Sequence, residues 1–377
     1  MRHEQARSIK IGILLPRSTD YPAMGYDIVD GLRAGLQFTG QSSFEIFTEN
    51  IGFGVDPTLS YARAEKLLLH DGVDLLIVYS DASNAEQLYP LAETFQKPLI
   101  VLDAGMQLPE ISSAYCYHIS LQGVHACRIA GMMAGQGNRK VLMATSFYDG
   151  GYRGPWGCDR GLSESGGSVC GNYVSGYKTA EFNIDPYLGL LQESGASSVA
   201  ACFSSYLAEL FFKSLHEKKE KQVSLPVYCS PFMAEEQLLE KCAFPGGEFY
   251  TVVPWASALE NEIQQEFKSR IPKNRKANVF HLLGWEASAV GRQALENGHD
   301  CLKNFSYQSP RGLMTIHPVT QYSYGPLYRG SITENEEGKC CLQIRETIEI
   351  TSEDHVKVMG DKPLDLVSGW KNNYLCI

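Results

Sequence analysis

Val73-Asp74-Leu75-Leu76-Ile77-Val78-Tyr79-Ser80-Asp81-Ala82-Ser83 is the stretch that decides the fold. From Val73 to Tyr79 a single polar residue, Asp74, interrupts the apolar run. A strand with one wet face would alternate polar and apolar positions. An unbroken run is expected of a strand covered on both faces, as in a parallel sheet flanked by helices. The run ends in Ser80 to Ser83, at the entry to a helix expected over residues 84–96. Ser83 there reads either as an N-cap or, with Ser80, as an anion contact at free helix N–H groups.

The same alternation repeats outward. Upstream, Ile9 to Leu15 is an apolar strand stopped by Pro16. A polar loop from Arg17 to Met24 leads to a helix with Ile28, Val29, Leu32, Gly35 and Leu36 on one stripe. Phe44 to Phe47 alternates as a second strand, and Asp56-Pro57 opens a helix that Gly72 ends. Downstream, Pro98 to Leu102 is another buried strand. The chain to Gly105 therefore runs strand–helix repeatedly, the pattern of a doubly wound parallel sheet. A second such unit follows. A helix over 122–136 and a strand over 140–145 precede a Gly-rich loop from Asp149 to Gly157. A helix comes after that loop, then strands near 169–174, 198–203 and 227–229 with helices near 186–194 and over 205–218. Val252-Val253-Pro254-Trp255 reads as a connector, followed by helices over 259–270 and 278–297 and an extended region with turns. The tail carries a hairpin from Tyr328 to Thr333 and back from Cys341 to Ile348.

With 377 residues, 44% hydrophobic and 20% charged, the chain is long enough for two domains of roughly 100–200 residues each. The 33 basic and 43 acidic residues leave a charge of −10, which disfavours nucleic acid as a partner. No stretch approaches the roughly 18 consecutive apolar residues of a membrane helix, so no membrane insertion is expected. The 11 cysteines admit two readings: buried hydrophobes in a reducing compartment, or disulfides in an exported protein. The opening Met1 to Ser8 has no apolar signal core, as expected of a cytosolic protein or of an exported one whose signal has been removed.

Phosphate-binding, dinucleotide, zinc-protease and nucleophile-elbow motifs are all missing from the sequence. Lone histidines such as His118 and His281 read as structural. Asp103, Asp149 and Glu286 are the only acids to suggest paired carboxylates, and without a nucleophile or metal set no enzyme is expected and no cofactor or metal. Open α/β sheets bind ligands at the carboxyl ends of their strands. The loops there carry Arg17 to Tyr21, Ser80 to Ser83, Asp103-Ala104-Gly105, Tyr148 to Tyr152, Ser204-Ser205-Tyr206 and Ser230-Pro231-Phe232. Their shared Ser, Tyr, Asp and Gly content points to one cleft.

The order and spacing of several segments resemble the type 1 periplasmic solute-binding proteins, in the branched-chain amino-acid (Leu/Ile/Val) receptor class of ABC transporters. These segments are Ile9 to Pro16 leading to Gly25, Gly31 and Ala34; Val73 to Ser83; Pro98 to Val101; Tyr148-Asp149 with Tyr152-Arg153-Gly154; and Gly284 to Val290. The resemblance spans about residues 8 to 350. It implies an α/β fold of two doubly wound parallel-sheet lobes joined by a three-stranded hinge. Crossovers fall near Ile119–Leu121, Val253–Trp255 and Pro326–Tyr328. The N-terminal lobe is then 1–119 plus 255–326, and the C-terminal lobe 120–254 plus 327–377.

The same resemblance implies site residues. Ser80, Ala82 and Ser83 match the loop that holds a ligand carboxylate, and Asp103, Ala104 and Gly105 the next contact loop. Tyr21 lines the side-chain end of the cleft. Tyr148, Tyr152 and Tyr206 match aromatics of the second lobe that cap the ligand. Ser230 and Phe232 stand where amino-acid receptors place an acid for the ammonium group, and that acid is missing. Either Asp103 serves instead or the ligand lacks an ammonium. Trp255 and Trp285, with Trp156, offer flat apolar walls. The implied function is an extracytoplasmic, periplasmic protein closing on a small polar solute (an amino acid or related small carboxylate or amide) for uptake by an ABC permease. A ligand sensor on the same fold, of the cytoplasmic amide-sensor type, is the alternative.

Overall fold

The computed structural model describes residues 8–40, 43–106, 109–147, 149, 153–221, 224–361 and 374. The first lobe is built on β1 (Ile9–Leu15), β2 (Phe44–Asn50), β3 (Leu75–Tyr79), β4 (Leu99–Asp103) and β5 (Cys116–Ser120). These pair in the order β2-β1-β3-β4-β5, all parallel. The deciding strand behaves as its composition demands. Leu75, Ile77 and Tyr79 enter one core and Leu76 and Val78 another, so both faces of β3 are dry. Burying each such aliphatic side chain contributes about 1.5–3 kcal/mol. Helices α1 (Met24–Phe38), α2 (Pro57–Lys66), α3 (Ala82–Ala85) and α4 (Tyr89–Phe95) connect these strands. Asp56 caps α2 through its carboxylate, which accepts from Thr58 N at 2.9 Å and Leu59 N at 3.2 Å.

After β5 the chain enters α5 (Gly123–Gly135) and builds the second lobe. Its first part comprises β6 (Lys140–Ser146), α6 (Arg153–Glu164), β7 (Ser168–Ser175), α7 (Asp185–Glu193), β8 (Ser198–Cys202), α8 (Ser205–Glu217), β9 (Val227–Cys229), α9 (Glu236–Leu239) and β10 (Phe249–Val253). The chain then returns to the first sheet as α10 (Glu262–Arg270) and α11 (Val279–Asn297), whose side chains join the core of β1, β3 and β4. A small antiparallel sheet of β11 (Ser306–Ser309), β12 (Gly312–Ile316) and β13 (Ser323–Tyr324) lies beside β5. Last come β14 (Leu327–Glu334), β15 (Cys340–Ile348) and α12 (Ser352–Gly360). The second sheet has the order β15-β14-β10-β9-β8-β6-β7, antiparallel only where β14 meets β10 and β15.

One strand adds to the sequence reading and one loop of it needs correction. The sequence reading does not include β5: Cys-Tyr-His-Ile-Ser lacks an apolar run, and its polar His118 is buried with Asp103 of β4 at one ring nitrogen, the Tyr89 hydroxyl at the other and Tyr322 stacked on its face. The Gly-rich loop to Gly157 is in fact helical from Arg153. Gly157 and Gly161 lie against α5, and a Cβ at Gly161 would come within 1.8 Å of the Arg128 carbonyl oxygen. Close helix contact outweighs the poor helix propensity of glycine. The extended region after α11 is, as its sequence indicates, made of strands: it is the small β11–β13 sheet.

Candidate functional site

The carboxyl ends of the two parallel sheets face a shared gap, and the loops there converge on one ring. After β1, Ser18 Oγ accepts from Tyr21 N at 3.1 Å, a tight turn that aims Tyr21 into the gap. At the start of α11, Asn278 Oδ1 accepts from Phe280 N and His281 N at 3.1 Å each. Asn278 Nδ2 in turn donates to Asp27 Oδ2 at 2.8 Å, which fixes where α11 begins and hence where Phe280 lies. After β9, Pro231 opens a short 3-10 turn that carries Phe232 and leads to Glu235, which precedes α9.

The ring they surround is Tyr374. Tyr21, Phe280 and Phe232 meet it edge-on, each with centroids 5.2 Å away. The Tyr374 hydroxyl donates to Glu235, and its carbonyl oxygen accepts from Ser18 Oγ at 2.5 Å. The slot thus draws on both lobes, with aromatic edges around its sides and a carboxyl at its far end. Burial pushes the Glu235 carboxyl up to about 7; the Tyr374 hydrogen bond opposes this and the neighbouring Glu236 charge adds to it. The room left beside the ring is a cavity of 30 Å³ touching Glu235, Trp255 and Asn278. A larger surface groove of 580 Å³, lined by Asp74, Lys97, Tyr115 and His299, lies at the opposite, amino ends of the first sheet. Ligands of open α/β sheets bind at the other ends, so the slot and not that groove is the candidate.

Of the residues singled out in the sequence, Tyr21 and Phe232 meet in this slot, and Trp255 borders the cavity beside it. Ser80 and Ala82 are buried at the end of β3, and Asp81 caps α3 by accepting from Asn84 N at 3.1 Å. Ser83 is the second residue of α3. Asp103 is engaged within its own lobe. Its Oδ1 accepts from Gly105 N at 2.7 Å and its Oδ2 meets His118 Nδ1 at 2.9 Å, so each oxygen already has a partner within the first lobe. The carbonyls of Ala104 and Gly105 accept from Gly123 N and Val124 N at the start of α5. Ser230 Oγ donates to the Phe203 carbonyl at 3.2 Å. Tyr206 is partly exposed, and its hydroxyl donates to the Tyr177 carbonyl beside Phe147. Trp255 Nε1 donates to Gln264 at 3.0 Å, and Trp285 packs between Phe38 and Phe267 in the helix layer rather than along a cleft wall. Tyr148 and Tyr152 lie outside the described residues.

Three residues of the slot escaped the sequence reading. Glu235, five positions beyond Ser230, supplies an acid on that loop. The acidic pair Glu235-Glu236 opening a helix was a usable signal. Phe280, two positions after the capping Asn278, was another. Nothing in the local sequence marks Tyr374.

The fold and this gap define the class: two parallel-sheet α/β lobes facing a shared gap, the substrate-binding-protein fold of ABC transporters. Residues 8–304 match the family model described as periplasmic binding protein, and the chain belongs to that family. A Leu/Ile/Val-binding protein homolog 6 of Brucella suis is 20% identical over 349 residues, covering 88% of this chain and 89% of the relative. An ABC transporter substrate-binding protein from Sphaerobacter thermophilus has a similar structure (TM-score 0.78, 19% identity, 91% of this chain and 98% of that one). So does a solute-binding protein of Rhodopseudomonas palustris BisB5 in complex with 3,4-dihydroxybenzoic acid (TM-score 0.74, 17% identity, 91% and 97%).

Proposed function

We propose that this chain is the solute-binding component of an ABC uptake system and that its solute carries an aromatic ring with a hydrogen-bond donor. One observation carries the reading: the inter-lobe slot is shaped to take a phenol ring, with Tyr21, Phe232 and Phe280 edge-on around it and Glu235 accepting its hydroxyl. Edge-to-face contacts of this kind add about 0.5–1.5 kcal/mol each beyond simple burial. The bound dihydroxybenzoic acid of the R. palustris neighbour has this chemistry.

The lobes in this reading are 1–119 plus 255–326 and 120–254 plus 327–377, with Tyr374 of the second segment reaching into the first lobe's core. Closure brings Tyr21 and Phe280 from one lobe against Phe232 and Glu235 from the other and expels water from between them. The closed shape is what a permease reads, in the periplasm. No catalytic step is assigned to the chain.

A thermal-shift series tests the reading. Hydroxybenzoates raise the melting temperature, and benzoate without a hydroxyl raises it less, because Glu235 is left unpaired. If only aliphatic amino acids stabilise the chain, Glu235 is instead the ammonium partner and the Leu/Ile/Val-type reading replaces this one. A sensor role on the same scaffold is favoured by the buried thiols Cys116, Cys127, Cys158, Cys202, Cys229, Cys242 and Cys340. Thiol trapping in intact cells separates that role from a periplasmic receptor.

A further inference from the structure

The slot is already filled by the chain's own Tyr374, which lies 13 positions after Asp361, just past α12. It is 3% exposed and belongs to the same packed core as Ile28, Leu283 and Phe280. Its contacts come from both lobes and use every part of the residue. The ring meets Tyr21, Phe280 and Phe232, the hydroxyl meets Glu235, and the carbonyl meets Ser18. The 30 Å³ left beside it has room for about one water and not for a second ring.

We infer that Tyr374 is an internal occupant of the solute's ring slot, so that a solute enters only by displacing it. The inference rests on the proposed solute-binding reading and adds regulation to it. Two rings cannot share the slot, so tail docking and solute binding exclude each other. A tethered occupant acts at an effective concentration in the millimolar range, set by its connection and not by the solution. The apparent affinity for solute therefore falls by the fraction of molecules whose slot is vacant. The tail thereby sets the solute concentration at which the protein loads. Because Tyr374 bridges Phe232 and Glu235 to Tyr21 and Phe280, it also holds the lobes together in the absence of solute.

The test uses the full-length chain, its Tyr374→Ala and Tyr374→Phe variants, and two probes. One is 4-hydroxybenzoate, which copies the tyrosine ring, followed by calorimetry. The other is a fluorescent peptide of residues 370–377, followed by anisotropy. Tyr374→Ala is expected to bind the peptide, with the wild-type chain at least about tenfold weaker because its slot is taken. It is expected to bind 4-hydroxybenzoate at least about tenfold more tightly than wild type, with Tyr374→Phe between the two. Added 4-hydroxybenzoate should release the peptide. Equal affinity of wild type and Tyr374→Ala for 4-hydroxybenzoate overturns the inference and leaves the solute reading standing. A peptide that does not bind Tyr374→Ala also overturns it. A peptide that binds Tyr374→Ala while 4-hydroxybenzoate binds no variant upholds tail occupancy and sinks the phenolic-solute reading instead.

Discussion

Arg311 and Glu286 form a two-pronged ion pair sealed from water. Nε meets Oε1 and Nη2 meets Oε2, each at 2.7 Å, and both side chains are fully buried. Arg311 lies in the turn between β11 and β12, and Glu286 lies on α11. The pair reaches further than its own elements. Nη2 also donates to the Ser120 carbonyl at 3.0 Å, where β5 leaves the first sheet. The Arg311 carbonyl accepts from the Tyr328 hydroxyl at 2.8 Å, where β14 joins the second. Ser309 Oγ supplies a further bond to Glu286 Oε1 at 2.6 Å. One buried charge pair therefore links two of the passages between the sheets to the helix that carries Phe280.

Removing one partner leaves the other charge buried and alone. Glu286→Ala or Arg311→Leu is expected to lower stability by about 3–5 kcal/mol, while the double variant Glu286→Leu/Arg311→Leu recovers much of that loss. Urea unfolding with an unchanged slope measures this. A single variant costing under about 1 kcal/mol would show that water reaches the pair.

The helix layer over the first sheet makes a second prediction. A Cβ on Gly284 of α11 would lie 2.0 Å from the Ile28 carbonyl oxygen of α1, and one on Gly31 of α1 would lie 2.0 Å from that of His281. The two backbones touch because both residues lack a side chain. Gly284→Ala must part the helices and should cost about 1–3 kcal/mol. Gly189 on α7 has open space where its Cβ would go. Gly189→Ala should be neutral or stabilising by up to about 1 kcal/mol. Equal effects of the two substitutions in thermal unfolding would refute the close-contact argument.

The same contrast explains what the sequence made legible. Runs such as Val73 to Tyr79 and Pro98 to Leu102 report their own environment, because burial on both faces is written into consecutive residues. Asp103 and His118 do not: each reads alone as polar, and their pairing across adjacent strands cannot be seen in either segment by itself. Trp285 has the composition of a cleft wall and the position of a helix spacer. Gly157 reads as a loop residue because its close neighbour, the Val124 carbonyl on α5, stands 33 positions away in sequence. Tyr374 is the extreme case. Its partners Ser18 and Tyr21 stand more than 350 positions away, so no local pattern could place it.

Substitutions in the slot should separate its walls from its end. Phe280→Ala removes a ring edge and should weaken a ring-bearing solute about tenfold or more, an edge contact being worth roughly 0.5–1.5 kcal/mol in addition to its buried area. Trp285→Phe, in the helix layer, should change stability with little effect on affinity. Calorimetric titration on both variants decides it, and equal losses of affinity would place Trp285 in the site after all.

Asp149 gives stability a pH dependence. Its carboxyl accepts from Ser146 Oγ at 2.7 Å and from Ser204 Oγ and N at 2.5 and 3.2 Å, yet burial pushes it up to about 7. The unfolded chain gives up this proton near pH 4, so between about 4 and 7 the folded state binds more protons. Its contribution is present below pH 4 and is lost as pH rises through 7. At about 1.4 kcal/mol per unit the full effect is roughly 4 kcal/mol. In Asp149→Asn the change in melting temperature between pH 5 and 7.5 should shrink accordingly. An unchanged profile would mean the three hydrogen bonds hold the carboxylate charged.

The histidines around α12 act in the opposite direction. Burial holds His125 down to about 4 and His355 down to about 3; the Arg128 charge lowers the first further, and the second is lowered further by the charge that His125 and His317 would take up in acid. Asp354 beside His125 only partly offsets this. His355 Nε2 meets Thr320 Oγ1 at 2.8 Å, and its ring stacks on Tyr324 with centroids 4.8 Å apart, so neutral His355 anchors α12 to the small sheet. Both groups have folded values below the usual 6.5 of a histidine, so their stabilisation is present above pH 6.5. It is lost as pH falls towards 4, when the unfolded or undocked state takes up protons that the docked state refuses. α12 should therefore undock before the lobes unfold. Hydrogen exchange in residues 352–360, corrected for intrinsic rates, should accelerate between pH 7 and 4.5 in the wild type, and much less in a His125→Gln/His355→Gln variant. Equal protection of α12 at the two pH values in the wild type would remove these histidines as its acid-sensitive anchor.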